Sequence, residues 1–311
     1  MAIVASPFSI LSRGPSTTAS FQFIDCPPND KGDQKFYAGV LDAPDGITKL
    51  SPVKKTIHDI PVSDLRGSEA FLSLDVHGLQ FLRYPQYQGI NVNSDQGEIM
   101  SYLGSITAKV KSVFGAELAF CYDYKFRRNM NYLPDDDFNQ ILKDLALTND
   151  RSVADPASFM THVDATPVGA MRRLRRYLSP NECIEYLDQP DKYRVRIMNV
   201  WRPVAQAVYD RPLGICDFFS TVPEDFVPVQ FHTSTENVGE VYWLRHNENQ
   251  RWYYISGHTP EELLLFLNYD SDYRSGPKCI PHCSFQHADF PDESNRQSLE
   301  LRLAVITKKR S

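Results

Sequence analysis

The feature that most constrains the fold is a set of short runs in which apolar and polar residues alternate. In YRVRIMNVW (193–201), Val195, Ile197, Asn199 and Trp201 fall on one side of an extended chain. EVYWLRH, QRWYYIS and SLELRLAVIT are further alternating or β-rich runs, so from about residue 155 onward the chain reads mostly as strands. Residues 1–93 are rich in Pro, Gly and Asp and broken into short alternating pieces, which predicts strands and long loops. Four helices are expected. SDQGEIMSYLGSITAKVKSVFG repeats Ile99, Leu103, Ile106, Val110 and Val113 every three to four residues, with acids at its start and lysines near its end. A second covers 134–147. A third begins at SPNECIEYL, where Ser179 and Glu182 have capping-box spacing and Pro180 suits the first helical position. A fourth, TPEELLLFL, carries the same signature from Thr259 to Glu262. The fold class is therefore α+β, mainly β: an antiparallel β core with flanking helices. No repeat or linker interrupts the chain, so residues 1–311 are expected to form one domain, with the strands and helices of about 1–150 packing on a core of about 155–308.

Composition narrows the function. A chain with 42% hydrophobic and 23% charged residues and a net charge of −6 is a folded globular protein, not a general binder of nucleic acid, which works by neutralising phosphates. No apolar run approaches the roughly 20 residues that span a bilayer, and the start lacks a charged segment followed by a solid apolar one. A cytoplasmic location is expected, with no nucleic-acid or membrane partner; monomer and homodimer both stay open. The six cysteines are scattered, and the lone CxxxC of Cys279 and Cys283 is a weak zinc signal, so they read as buried or incidental thiols.

The chemistry lies in residue types far apart in the chain. In FMTHVDATPVGAMRRLRRY, alternation puts His162 and Asp164 on the same side of a strand. Two histidines and one carboxylate on one face of a metal, with the opposite positions open, suit non-haem iron(II) oxygenases, and this pair supplies two of the three. His282 follows 120 residues later, and Arg296 and Ser298 lie 14 and 16 residues beyond it. An arginine fork and a serine hydroxyl on one strand face can hold a carboxylate.

The order HxD, long gap, H, then RxS matches the iron(II)/2-oxoglutarate-dependent dioxygenases. More narrowly, HVDATPVGAMRRLRRYLSPNE, YRVRIMNVWRPVAQAVYDRPLGICD, VYWLRHNENQRWYYISGHTPEELLLFLNYDSD and PHCSF…RQSLELR resemble the fungal hydroxylase/desaturase family of AsaB-type and gibberellin-desaturase-type enzymes, over about 20–307. The resemblance implies a double-stranded β-helix, the jelly-roll, cupin-like barrel. It implies Fe(II), 2-oxoglutarate and O2 as cofactor and cosubstrates, and hydroxylation or desaturation of a secondary metabolite. It further implies that His162, Asp164 and His282 are the catalytic iron ligands and that Arg296 and Ser298 hold the distal carboxylate of 2-oxoglutarate. The chain departs from the family in having His287 as a rival third ligand and Ala207-Val208 where a PV is usual.

Other residues have two readings. Asn199 sits in an apolar row, where a buried amide must be hydrogen-bonded; a structural bond and a pocket contact are both open, and we group it with the cosubstrate-binding candidates. Arg302 shares a strand face with Arg296, Ser298 and Glu300, so it competes with Arg296 as anchor, although a pairing with Glu300 is expected. Arg172, Arg173, Arg175 and Arg176 read as a solvated or salt-bridged helix face, and Trp201, Tyr253 and Tyr254 as core. The competing functions are an auxiliary subunit that keeps this fold without turnover and a non-redox cupin-like module. The complete HxD, H and RxS set favours the enzyme.

Overall fold

The structure, a computed structural model, describes residues 6–11, 16–26, 36–39, 54–85, 89–129, 154–232, 238–272, 276–290 and 296–309. Two sheets dominate. The larger runs, in hydrogen-bonded order, β1 (Ser16–Asp25), β3 (Lys54–Asp64), β12 (Trp252–Tyr254), β9 (Leu213–Cys216), β14 (His282–Ser284), β7 (His162–Val163), β11 (Val238–Leu244), β10 (Phe226–His232) and β2 (Phe36–Gly39). The smaller runs β4 (Leu79–Arg83), β13 (Glu262–Asp270), β8 (Tyr193–Pro203), β15 (Gln297–Lys308), β5 (Leu118–Arg128) and β6 (Asp155–Pro156). Side chains of the smaller sheet hydrogen-bond to Asp164 beside β7 of the larger one, so the sheets face each other as a double-stranded β-helix, the jelly roll expected from the sequence.

β8 lies between β13 and β15 and is buried on both faces. On the row that the alternation predicts, Asn199 reaches Asp164 and Trp201 lies under Arg296, while Val195 and Ile197 pack with Leu174 and Leu178. The other carries Met198 and Val200 into a core shared with Ile99, Tyr102, Leu103, Ile106 and Val110 of the helix Gln96–Phe114. That helix starts with a complete Asp95/Glu98 capping box and stops at Gly115, whose φ of 56° is the left-handed conformation glycine tolerates.

The predicted fourth helix is a strand. The Thr259–Glu262 bonds do form, with the Thr259 N–H donating to Glu262 Oε2 at 2.9 Å, but the chain beyond them is extended as β13, between β4 and β8. Leu263, Leu264, Leu265, Phe266 and Leu267 are consecutive, and all are at most 1% exposed. A helix would turn part of that run to solvent, whereas a central strand buries both faces, each such side chain contributing about 1.5–3 kcal/mol. The third helix begins where expected. Its capping box forms, but the α turn covers only Pro180–Glu182 before a π turn at Cys183–Leu187. The helix expected at 134–147 lies outside the described residues.

Candidate metal and cosubstrate site

The stretch from Thr161 to Gly169 sets one side of the site. Thr161 is fully buried, its N–H and hydroxyl both bonded to the Gln22 carbonyl. β7 is thereby pinned between β11 and β14, where His162 stands opposite both Trp243 and His282. Two residues after Asp164, Thr166 caps the helix Pro167–Tyr177, its hydroxyl accepting from the Gly169 N–H at 2.9 Å. Only glycine fits at 169, because a Cβ there would lie 2.4 Å from the Glu240 carbonyl oxygen of β11. Strand, ligand, cap and helix thus follow within eight residues, which leaves little freedom in how the pair His162 and Asp164 is presented.

The structure brings His162, Asp164 and His282 together, with one ligand atom from each lying within 4.8 Å of the others. Asp164 Oδ1 is 3.7 Å from His162 Nε2, Asp164 Oδ2 is 3.9 Å from His282 Nε2, and the ring centroids are 4.4 Å apart. His162 Nδ1 lies 2.6 Å from the Met160 carbonyl and His282 Nδ1 lies 3.0 Å from the Ile280 carbonyl. A carbonyl can only accept, so each Nδ1 carries the proton and each Nε2 presents its lone pair to the shared point. Burial, and then His282 beside it, lowers His162 to about 4, so it is neutral at pH 7. Burial pushes the Asp164 carboxyl up, but Arg302 and the two imidazoles outweigh it and hold the group well below the ordinary carboxylate range.

The rest of Asp164 is held from the smaller sheet. Asn199 Nδ2 donates to Oδ2 at 2.6 Å, Arg302 NH2 to Oδ1 at 3.1 Å, and the Asp164 N–H donates to Asn268 Oδ1 at 3.0 Å. Asn199 therefore supports the carboxylate, and Arg302 pairs with Glu300 as expected, at 3.0 Å, while also reaching Asp164. Asn268 escaped the sequence reading although its signal was that of Asn199: an amide inside an apolar strand.

Ser298 lies on the face of β15 that carries Arg302, and Arg296 immediately precedes the strand; the two are 0% and 2% exposed. The guanidinium sits 5.5 Å over the Trp201 ring, yet its Nε and NH1 and the Ser298 hydroxyl have no hydrogen-bond partner among the described residues. Burial, and then Arg127, presses Arg296 down to about 9. A buried cation and hydroxyl left this way cost about 1–3 kcal/mol each and call for an anionic partner with several acceptors. His282 Nε2 is likewise buried with no hydrogen-bond partner among the described residues. Two imidazole nitrogens, one carboxylate and a buried Arg–Ser pair without its own acceptor fit an iron(II) ion and a dicarboxylate cosubstrate.

Other candidates do not join the site. Among the described residues, His287 is not in the cluster and its Nε2 lies 3.1 Å from the Tyr254 hydroxyl. Arg175 makes a half-exposed ion pair with Asp188, and Arg173 lies over Tyr122, so the arginine run is helix surface. A groove of about 500 Å3 between the helix Gln96–Phe114 and β5 contains none of the predicted ligands.

A jelly roll with two histidines and a carboxylate converging between its sheets, and a buried Arg–Ser pair on the neighbouring strand, defines the class of the iron(II)/2-oxoglutarate-dependent dioxygenases. The family model described as "Oxidoreductase/YMDC permease-like domain" matches residues 21–306, and the chain belongs to this family. Among the described residues no helix is long and apolar enough to cross a membrane. The chain is 26% identical over 299 residues to the Fe(II)/2-oxoglutarate-dependent dioxygenase nvfI of Aspergillus novofumigatus, an alignment covering 94% of this chain and 98% of that one. It is 27% identical over 297 residues to the hydroxylase/desaturase CTB9 of Cercospora beticola, covering 90% and 83%. A solved structure of a variant of the iron and alpha-ketoglutarate-dependent endoperoxidase NvfI superposes with a TM-score of 0.77 at 24% identity, covering 96% of this chain and all of that one; that likeness speaks for the fold.

Proposed function

We propose that the chain oxidises a C–H group of a small-molecule secondary metabolite, by hydroxylation or desaturation, with His162, Asp164 and His282 holding Fe(II). When bound, iron with O2 and 2-oxoglutarate supplies the oxidising power, 2-oxoglutarate leaving as succinate and CO2. The observation that carries this reading is the pairing of a ligand cluster with an anchor that lacks a hydrogen-bond partner among the described residues: Arg296 and Ser298 are buried and unsatisfied at the start of the strand that also supports Asp164.

The residues divide the work. His162 and His282 present Nε2 with the tautomer set by backbone carbonyls, and Asn199 keeps Asp164 in place, acting on the cosubstrate only through that ligand. Arg296 and Ser298 grip the distal carboxylate and so orient its other end toward the cluster. A non-redox module has no use for a buried arginine awaiting an anion. Strands β1, β2 and β3 belong to the same sheet as β7 and β14, which supports the whole chain acting as one domain. The reading extends to a cytoplasmic enzyme working as monomer or homodimer without nucleic-acid or membrane partners.

The test is succinate release from 2-oxoglutarate with added Fe(II). Release by the wild type and none by His162→Ala is expected. Equal or absent release in both would sink the proposal.

A further inference from the structure

The ladder between β5 and β15 has one irregularity. Arg302 pairs with Asp123 and Leu303 with Cys121, so Tyr122 is an extra residue in β5. Such a bulge bends a strand and re-aims its side chains. Here Asp123 Oδ2 comes to 3.3 Å from Arg302 NH1. Glu300, two residues before Arg302 on the same face, accepts from Arg302 Nε at 3.0 Å. The remaining nitrogen, NH2, donates to Asp164 at 3.1 Å. Nε thus meets Glu300, NH1 meets Asp123, and NH2 lies between Asp164 and Glu300 Oε1, the latter 3.0 Å away; the Arg302, Glu300 and Asp164 side chains are only 13%, 6% and 7% exposed.

This arrangement solves a conflict. An arginine paired with Asp164 alone would compete with a metal cation for the same charge. Glu300 and Asp123 take up much of the Arg302 charge, so its third hydrogen bond can orient Asp164 without neutralising it. Arg302 is also gripped from two sides before it reaches Asp164, and its rigid fork fixes the direction of that bond in a way a lysine could not. Resting on the reading of His162, Asp164 and His282 as the metal site, we propose that Arg302 is a positioning residue for the metal: held by the β5 bulge and Glu300, it fixes the Asp164 carboxylate in its binding orientation and leaves it negative.

Mn(II) binding, followed by loss of the free-ion electron paramagnetic resonance signal without cosubstrate or turnover, tests this. Arg302→Met is expected to raise the Mn(II) Kd roughly 10–100-fold. Arg302→Lys should recover part of the loss, and Glu300→Gln, which throws more of the Arg302 charge onto Asp164, should raise Kd severalfold. Removing a positive charge would by itself tighten cation binding, so weaker binding isolates orientation. A folded Arg302→Met variant that binds Mn(II) as well as or better than wild type, with only its Tm lowered, overturns the proposal and leaves a structural ion pair. If Arg302→Met does not fold, Arg302→Lys and Glu300→Gln decide in its place, and wild-type Kd in both overturns it equally. Wild-type protein that fails to bind Mn(II), or binds it undiminished in His162→Ala, removes the metal reading itself, and the role of Arg302 falls with it.

Discussion

Asp164 and Arg296 are buried to a similar degree, 6% and 2% exposed, and their surroundings treat them in opposite ways. Both carboxylate oxygens of Asp164 accept hydrogen bonds, from Asn199 and Arg302, and its N–H is bonded to Asn268. Among the described residues, Nε and NH1 of Arg296 and the Ser298 hydroxyl have no hydrogen-bond partner, and Arg127 makes the Arg296 charge harder to hold. In the proposed site, the metal end is completed by the protein, and the anchor end only by what binds there. A site divided this way has a rigid half that fixes geometry and a half whose binding free energy comes from relieving unsatisfied groups.

The sharpest way to break the comparison is to remove a ligand. Asp164→Ala should abolish Mn(II) binding and reduce succinate release to background, and it should destabilise the fold, since Arg302 and Asn199 lose a buried acceptor; a calorimetric scan with metal titration reads both. Arg296→Met should do the reverse to stability. We expect the ligand-free variant to gain about 1–3 kcal/mol in urea unfolding by removing an unsatisfied buried cation, while the KM for 2-oxoglutarate rises roughly 10–150-fold. Loss of stability together with an unchanged KM would show that the anchor half is not an anchor.

Acid should act on the metal end. His162 is held at about 4 in the fold against about 6.5 in an unfolded chain, so between those values the unfolded state binds the proton first. Stability is therefore fully present above pH 6.5 and is lost toward pH 4, with a slope of at most about 1.4 kcal/mol per pH unit from this residue. Buried His258, also lowered to about 4, adds a second such contribution. Urea midpoints from pH 7 to 4.5 should show the fall, and a His162→Gln variant with the same slope would contradict it. The smallest effect is Ser298→Ala, about 1 kcal/mol or fivefold in 2-oxoglutarate affinity, measured by titration calorimetry.

How much of this was legible in the sequence depended on range. Period-two alternation in 193–201 placed Asn199 and Trp201 on the inner face correctly, because β8 is long and its pattern is read locally. ELLLFL defeated local reading: a run apolar at every position fits a buried helix or a central strand equally, and its capping signature is satisfied by a turn that leads into β13. His162, Asp164 and His282 were named from spacing and resemblance, and the fold brings them together. The partners that finish Asp164 were only half visible. Asn199 stood out as a polar residue in an apolar row, but Asn268, in the same kind of row, was passed over, and the β5 bulge that gives Arg302 its second carboxylate leaves no local mark in LAFCYDYKFRR.

The hydrogen bonds at His162 and His282 have a further consequence. Each imidazole takes its tautomer from a carbonyl two residues upstream, just before its strand begins, Met160 for one and Ile280 for the other. A main-chain carbonyl is present whatever side chain the residue bears, so point substitution cannot delete these two supports. Asp164 relies on side chains from positions 199 and 302, which single mutations can remove. Sequence drift can thus remodel the walls of this barrel while leaving both histidines set for metal, and the vulnerable member of the triad is the carboxylate.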